Sequence, residues 1–229
     1  MLDFVILTED RYEDPKVLDW YIKNILTEDG ILLESLTKLG FSVKRVSWSS
    51  KSFDWSLASH VIFRSTWDYF ERFYEFENWL KITSKKTNFI NTYPQIIWNL
   101  DKSYLKYFDK RGINIVPSFF VNTEVSLKEV LKKNNWKEVV IKPVISAAAW
   151  NTHWVFEENL NKYEALFRGL QKKHKMIIQE FQKNILSFGE ISLVLIGGKF
   201  THAVIKKAKK GDYRVQDDYG GSVKEYHPS

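Results

Sequence analysis

The apolar residues of this chain recur in two rhythms, and the alternation between them limits the fold more than any other feature. Up to about residue 95, short apolar or alternating runs occur at Phe4 to Leu7, Ser42 to Trp48, His60 to Phe63 and Phe89-Ile90. Between them lie stretches with apolar residues at helical spacing. One carries Ile31, Leu32, Leu36 and Leu39, with Thr27 as its expected cap and Gly40 as its stop; another runs from Phe70 to Lys81. A β-α-β-β-α-β order of this kind predicts a small α/β domain over residues 1–95.

The rest of the chain mixes strands and helices differently. Asp101 is placed to cap a helix through Tyr104, Leu105 and Phe108 that stops at Gly112, and Ser126 with Glu129 has capping-box spacing. Val139 to Ile141 reads as a strand ending at Lys142-Pro143, Leu160 to Leu170 as a helix and Met176 to Gln179 as the next strand. From Glu190 the pattern becomes a long hairpin, Ile191 to Ile196 and Phe200 to Ile205, turned by Gly197-Gly198. These patterns divide the remainder into 96–178 and 179–229, with no internal repeat.

Composition excludes several classes of function. At 229 residues, with 44% hydrophobic and 27% charged residues, the chain reads as an ordinary globular protein. Its longest apolar run, Ile191 to Ile196, is far short of the roughly 20 residues that span a bilayer. The N-terminus lacks the features of a secretory signal, so the expected location is cytoplasmic, with no membrane partner. The absence of cysteine removes disulfides, thiolate nucleophiles and cysteine-ligated metals. A net charge of +6 and a pI near 9.2 favour anionic ligands. Nucleic acid is a weak candidate among these, because the aromatic residues fall at core-like positions. The lysine pairs at 85–86, 132–133 and 172–173 read as solvated faces, and the cluster from Lys206 to Lys210 stands apart from them.

The five histidines form no ligand pair, and there is no nucleophile elbow, Walker loop or dinucleotide fingerprint. What is present is a lysine at a strand end, Lys142, followed by the small-residue loop Val144-Ile145-Ser146-Ala147-Ala148-Ala149. Small side chains let a backbone approach phosphate closely, and an ammonium supplies the counter-charge. A buried alanine-rich turn beside a solvated lysine is the plain alternative. Lys102 adds a second cation, at an expected helix start where free N–H groups favour anions. Gln179-Glu180-Phe181, at a strand end, can offer main-chain groups to an adenine edge, and the Glu190 carboxylate can accept from ribose hydroxyls. Lys206 and Arg214 flank Gly211-Asp212, and Gly220-Gly221 follows.

The order of these segments resembles the ATP-grasp superfamily in its glutathione-synthetase-like branch. It is similar within it to the O-ureidoserine cyclo-ligases, which form cycloserine. The resemblance is carried by Arg64-Ser65-Thr66-Trp67-Asp68-Tyr69, Trp98 to Leu105, Val140-Ile141-Lys142-Pro143, Gly189 to Leu193, His202-Ala203-Val204, and Gly211 to Gln216 with Gly220-Gly221. It implies an α/β chain with α+β elements: a pre-ATP-grasp domain (1–95), a small ATP-grasp subdomain with the phosphate loop (96–178) and the start of a larger subdomain (179–229). By the same resemblance Lys102 and Lys142 hold ATP phosphates, Ser146 lies in the covering loop, Gln179, Glu180 and Phe181 frame adenine, and Glu190 faces ribose. Lys206 and Arg214 would act on the transferring phosphoryl group. Arg64, Ser65, Asp68, Gly220 and Gly221 would meet a small substrate bearing a carboxylate. The implied activity joins a carboxylate to an amine through an acyl phosphate.

The family also uses Mg2+, with ligands beyond the region matched here, and no residue of this chain is assigned to metal. That expectation describes a C-terminally incomplete ATP-grasp fold, with three explanations open: a fragment of a longer ligase, a partner chain that completes it, or an inactive nucleotide-binding module. A lost C-terminal segment would leave a sheet edge unpaired, which points to a homo-oligomer or a fragment.

Overall fold

Strand β1 (Leu2–Thr8) ends in a short helix, α1 (Asp10–Glu13), and the longer α2 (Trp20–Lys38) carries the chain back to β2 (Val43–Ser47). After β3 (Ala58–Ser65) come α3 (Phe73–Thr83), β4 (Asn88–Ile90) and α4 (Tyr93–Leu100). The four strands form one parallel sheet in the order β2-β1-β3-β4. Val5, Leu7, Val46, Val61, Phe76 and Leu80 fill its core around the buried Trp48. The chain leaves β1 towards β2 and returns on the far side to β3, so the strand order switches direction between β1 and β3. In open parallel sheets such a switch opens a crevice at the carboxyl ends of the strands.

The expected cap of α2 is corrected. The helix begins at Trp20, where Asp19 accepts a hydrogen bond from the Ile22 amide at 2.8 Å. Thr27 lies inside the helix, and its hydroxyl donates back to the Lys23 carbonyl at 2.8 Å. That back-bond satisfies a hydroxyl at mid-helix, so threonine there carries no start signal.

This computed structural model describes residues 1–228 and divides into two units, Met1–Tyr104 and the chain from Leu105 onward. The boundary expected near 95 falls inside α4, which belongs to the first unit. In the second unit α5 (Leu105–Asp109) leads to β5 (Ser118–Phe120), α6 (Leu127–Asn134), β6 (Glu138–Pro143) and β7 (His153–Phe156). Then follow α7 (Leu160–Gln171), β8 (Met176–Glu180) and the short α8 (Asn184–Ser187). The chain closes with β9 (Glu190–Ile196), β10 (Lys199–Lys207) and β11 (Ser222–Tyr226).

Two antiparallel sheets result, β5-β8-β6-β7 and β11-β10-β9. On the first, Val139, Ile141, Val155 and Ile178 pack against Leu127, Val130 and Phe167 of the two helices. The capping box at Ser126 and Glu129 forms as expected. Gly197 and Gly198, at φ 58° and 78°, make the β9–β10 turn, a conformation that costs glycine nothing.

Candidate functional site

The second unit is built outward from β6. Its burial alternates, and with period two the buried Val139 and Ile141 turn to the helices while Glu138, Val140 and Lys142 occupy the other face. Register extends that helix-free face to Trp154 on β7 and Gln179 on β8, both paired with Val140. Lys142 therefore stands at the carboxyl end of the strand, partly buried, with Glu190 as a nearby counter-charge. Burial pushes its pKa down, and Glu190 only partly opposes this. An ammonium that is desolvated and in no ion pair among the described residues is stabilised when an anion comes beside it.

The loop after Pro143 is held tightly. The buried Ser146 donates its hydroxyl to the Pro143 carbonyl at 3.0 Å. Ala148, Ala149 and Asn151 lie at φ 48°, 55° and 48°. For residues with a Cβ this left-handed region costs roughly 1–2 kcal/mol each, so the loop needs support. Two phenols supply it: Tyr213 donates to the Thr152 carbonyl at 3.0 Å and Tyr219 to the Ala148 carbonyl at 3.2 Å. Burial pushes Tyr213 up to about 12, so it stays a neutral donor. Tyr213 lies in the Gly211 to Gln216 segment, but neither tyrosine has this role in the sequence reading, since nothing local ties residues 213–219 to a loop some 65 residues earlier.

Glu190 and Lys206 face each other across β9 and β10, with Nζ 3.8 Å from the carboxylate, close enough for attraction but too long for a hydrogen bond. Gly189 sits beside them at φ 107°, where a Cβ would collide with the Lys206 carbonyl. Arg214 is committed more firmly. Its guanidinium donates to both oxygens of Asp212, at 2.6 Å from Nη2 and 3.0 Å from Nε, and lies 3.7 Å over the Tyr219 ring. Arg214 holds Asp212 down to about 2. Gly220 ends a one-turn helix in the left-handed conformation, and Gly221 is pressed against the Val215 main chain, so both have structural reasons to be glycine.

The segment expected to frame adenine is already well occupied. Gln179 donates to the Ser118 hydroxyl at 2.8 Å. Phe181 is buried and stacks on Trp154, ring centroids 4.3 Å apart, with Tyr213 edge-on to both. The amides of Glu180 and Phe181 donate to the Pro117 and Glu138 carbonyls at 3.0 and 2.9 Å. The main-chain amides of these two residues are therefore engaged, and the Glu180 carbonyl accepts from the Gln182 side chain at 3.3 Å.

In the first unit, Lys102 opens a helical turn (Lys102–Tyr104) that Asp101 caps by accepting from the Ser103 amide at 2.7 Å. Arg64, Ser65 and Asp68 stand at the carboxyl end of β3, each with internal partners. Arg64 donates to Glu28 at 2.8 Å, Ser65 shares a 2.7 Å hydroxyl contact with Thr8, and Asp68 accepts from the Trp48 indole at 2.7 Å and from Arg72 at 3.1 Å. The sequence reading missed Glu9 beside them. It is fully buried, one oxygen meets Arg11, the other has no hydrogen-bond partner among the described residues, and burial raises its pKa.

Known proteins are similar to this chain in sequence and in fold. The profile of the D-cycloserine synthetase DcsG N-terminal domain matches residues 4–91. The cycloserine biosynthesis protein DcsG of Streptomyces lavendulae is 25% identical over 191 residues. Among solved structures, D-cycloserine synthetase DcsG superposes with a TM-score of 0.82 at 21% identity, covering 98% of this chain and 75% of that one. D-Alanine–D-alanine ligase from Bacillus anthracis gives 0.61 at 12% identity, covering 100% and 73%, and the ATP-grasp ligase PsnB gives 0.58 at 14%, covering 100% and 79%.

This is an ATP-grasp fold. It resembles the cycloserine-forming ligases over nearly all of its length, as the order of motifs implied. The chain aligns over 77% of its own length and spans 61% of its curated relative. Among its described residues no helix is long and apolar enough to cross a membrane. Nor do three acidic or histidine side chains converge among them in the manner of a metal site.

Proposed function

We propose that this chain binds ATP on the helix-free face of the β5-β8-β6-β7 sheet, and that it belongs to an ATP-dependent ligase that joins a substrate carboxylate to an amine. The observation that carries the reading is Lys142: a desolvated cation at a strand end, in no ion pair among the described residues, beside a loop of small residues held in left-handed conformations. Lys142 would hold phosphate oxygens, and the 144–152 main chain would cover them. Glu190 would accept from ribose hydroxyls, and the carbonyls at Glu180 and Phe181 from the adenine amino group.

In such a reaction a substrate carboxylate oxygen attacks the γ-phosphorus and the bond to the bridging oxygen breaks, releasing ADP. An amine then attacks the acyl carbon; a C–N bond forms, the C–O bond to phosphate breaks, and the amine loses a proton. This chemistry depends on positioning and on charge stabilisation at the equatorial oxygens. Lys206, tied only loosely to Glu190, is free to turn towards such oxygens. Arg214 is held in one orientation by Asp212 and would present its remaining N–H groups. Gly220-Gly221 would form the turn that sets Tyr219.

Calorimetric titration with ATP tests binding: wild type should bind saturably, and Lys142→Ala should weaken binding at least about tenfold through loss of a charged hydrogen bond. Equal affinity in the variant would sink the site. A second reading is nucleotide binding without turnover. Saturable ATP binding with no ADP release, across amino-acid substrates and with magnesium present, would establish it.

A further inference from the structure

We propose that Tyr213 and Tyr219 are positioning residues, whose phenols strap the 144–152 loop to the segment that carries Arg214. The loop is folded on itself by the Trp150 and Thr152 amides, which donate to the Ala147 and Ala149 carbonyls at 2.9 and 3.1 Å. That folding places Ala148, Ala149 and Asn151 in left-handed conformations, which persist only where the surroundings over-determine them. The two phenols supply this from 61 and 71 residues further on. Tyr219 reaches the Ala148 carbonyl in the middle of the loop, and Tyr213 the Thr152 carbonyl at its end. One such bond would let the loop pivot; two, four residues apart, set its position and its orientation. Among the described residues the Ala148 and Ala149 amides donate to no main-chain carbonyl. With its carbonyls at 148 and 152 given to the phenols, the loop keeps N–H groups for an anion.

Each phenol is itself anchored. The Tyr213 ring stands edge-on to Trp154 and Phe181, at 5.8 and 6.2 Å between centroids, and these two stack on each other. Trp154 belongs to β7 and Phe181 follows β8, so Tyr213 is fixed to the sheet. The Tyr219 ring lies 3.7 Å from the Arg214 guanidinium, which is bound to both oxygens of Asp212. The same carboxylate accepts from the Tyr213 and Arg214 amides at 2.8 and 3.0 Å. Asp212 thus fixes the main chain of the strap and its cation together. At the other end Gly221 is packed so closely on the Val215 carbonyl that a Cβ would lie 2.2 Å from its oxygen, which closes the strap into a tight loop. Arg214 therefore cannot turn without disturbing the ring that holds Ala148, and the 144–152 loop cannot lift without breaking both phenol bonds. A cover and a cation tied in this way meet a ligand already arranged, which is how positioning contributes to group transfer.

The strap consists of this chain's own contacts; its use in holding phosphates rests on the function proposed above. The test compares the full wild-type chain with Tyr213→Phe, Tyr219→Phe and the double variant, which keep the rings and remove only the hydroxyls. Amide exchange without ligand is followed at Trp150 and Thr152, whose bonded N–H groups report opening of the loop, with the β6 amides as reference. Each single variant should exchange roughly three- to tenfold faster at these two amides, and the double variant faster still, with β6 unchanged. Unchanged exchange at Trp150 and Thr152 in the double variant would overturn the strap. Calorimetry then compares ATP with adenosine. The variants should lose ATP affinity by a similar factor and keep their affinity for adenosine, because the strap holds the cover over phosphates and not the base. Equal loss for both ligands would mark a merely structural effect and overturn the positioning role. Failure of wild type to bind ATP would remove the ligase reading, while faster exchange in the variants would still establish the strap.

Discussion

Two carboxylates show how residue-scale environment sets opposite responses to pH. Asp212 is held down to about 2 by Arg214, so the folded chain binds fewer protons than the unfolded one between about 2 and the ordinary carboxylate value. Its stabilisation is present above that ordinary value and is lost as pH falls through about 2. Asp212→Asn should therefore cost roughly 1 kcal/mol at neutral pH, no more because the pair is partly exposed, and the difference should shrink as pH drops below about 4. Urea midpoints of both proteins at pH 7 and pH 3.5 measure this. Glu9 runs the other way. Burial raises its pKa, so the folded chain holds the extra proton and stability declines as pH rises above the ordinary carboxylate value. Glu9→Gln should raise stability at pH 7 by about 1 kcal/mol, since one carboxylate oxygen there has no hydrogen-bond partner among the described residues. A lower midpoint in that variant would mean the Arg11 pair outweighs the burial cost.

At the scale of elements, what could be read from sequence was what is local. The Ser126 box, the Gly197-Gly198 turn and the strand ending at Lys142 depend on neighbours a few residues apart, and each formed as expected. Strands β5 and β7 left too few residues to show a period, and both are defined by pairing with β8 and β6. The start of α2 was misplaced because the exposed Trp20 and the half-buried Tyr21 blur its apolar stripe. The left-handed alanines were invisible for a related reason: alanine does not favour that region, and the tyrosines that hold it there come from elsewhere in the chain. Gly189 gives a test at this scale. A methyl group there must meet the Lys206 carbonyl in a conformation that L-residues avoid, so Gly189→Ala should destabilise the second unit by roughly 1–3 kcal/mol. An unchanged urea midpoint would show that the β9–β10 hairpin can shift to make room.

For the whole molecule, two cores are built on two kinds of sheet, and a ligand seated on one of them should report on that one. The first unit is a parallel sheet with its polar residues at the strand ends, while the second carries Lys142, Glu190 and Lys206 on two antiparallel sheets. A ligand that binds only folded protein stabilises the segments it orders, by about 2.7 kcal/mol at a hundred times its dissociation constant. Amide exchange slows where opening is made costlier, and segments that open independently keep their own rates. Saturating ATP should therefore protect β6, residues 144–152, β9 and β10, and leave the amides of β1 to β4 unchanged. Protection of β1 to β4 by ATP alone, with none at residues 144–152, would put the nucleotide in the wrong unit and remove Lys142 from its proposed role.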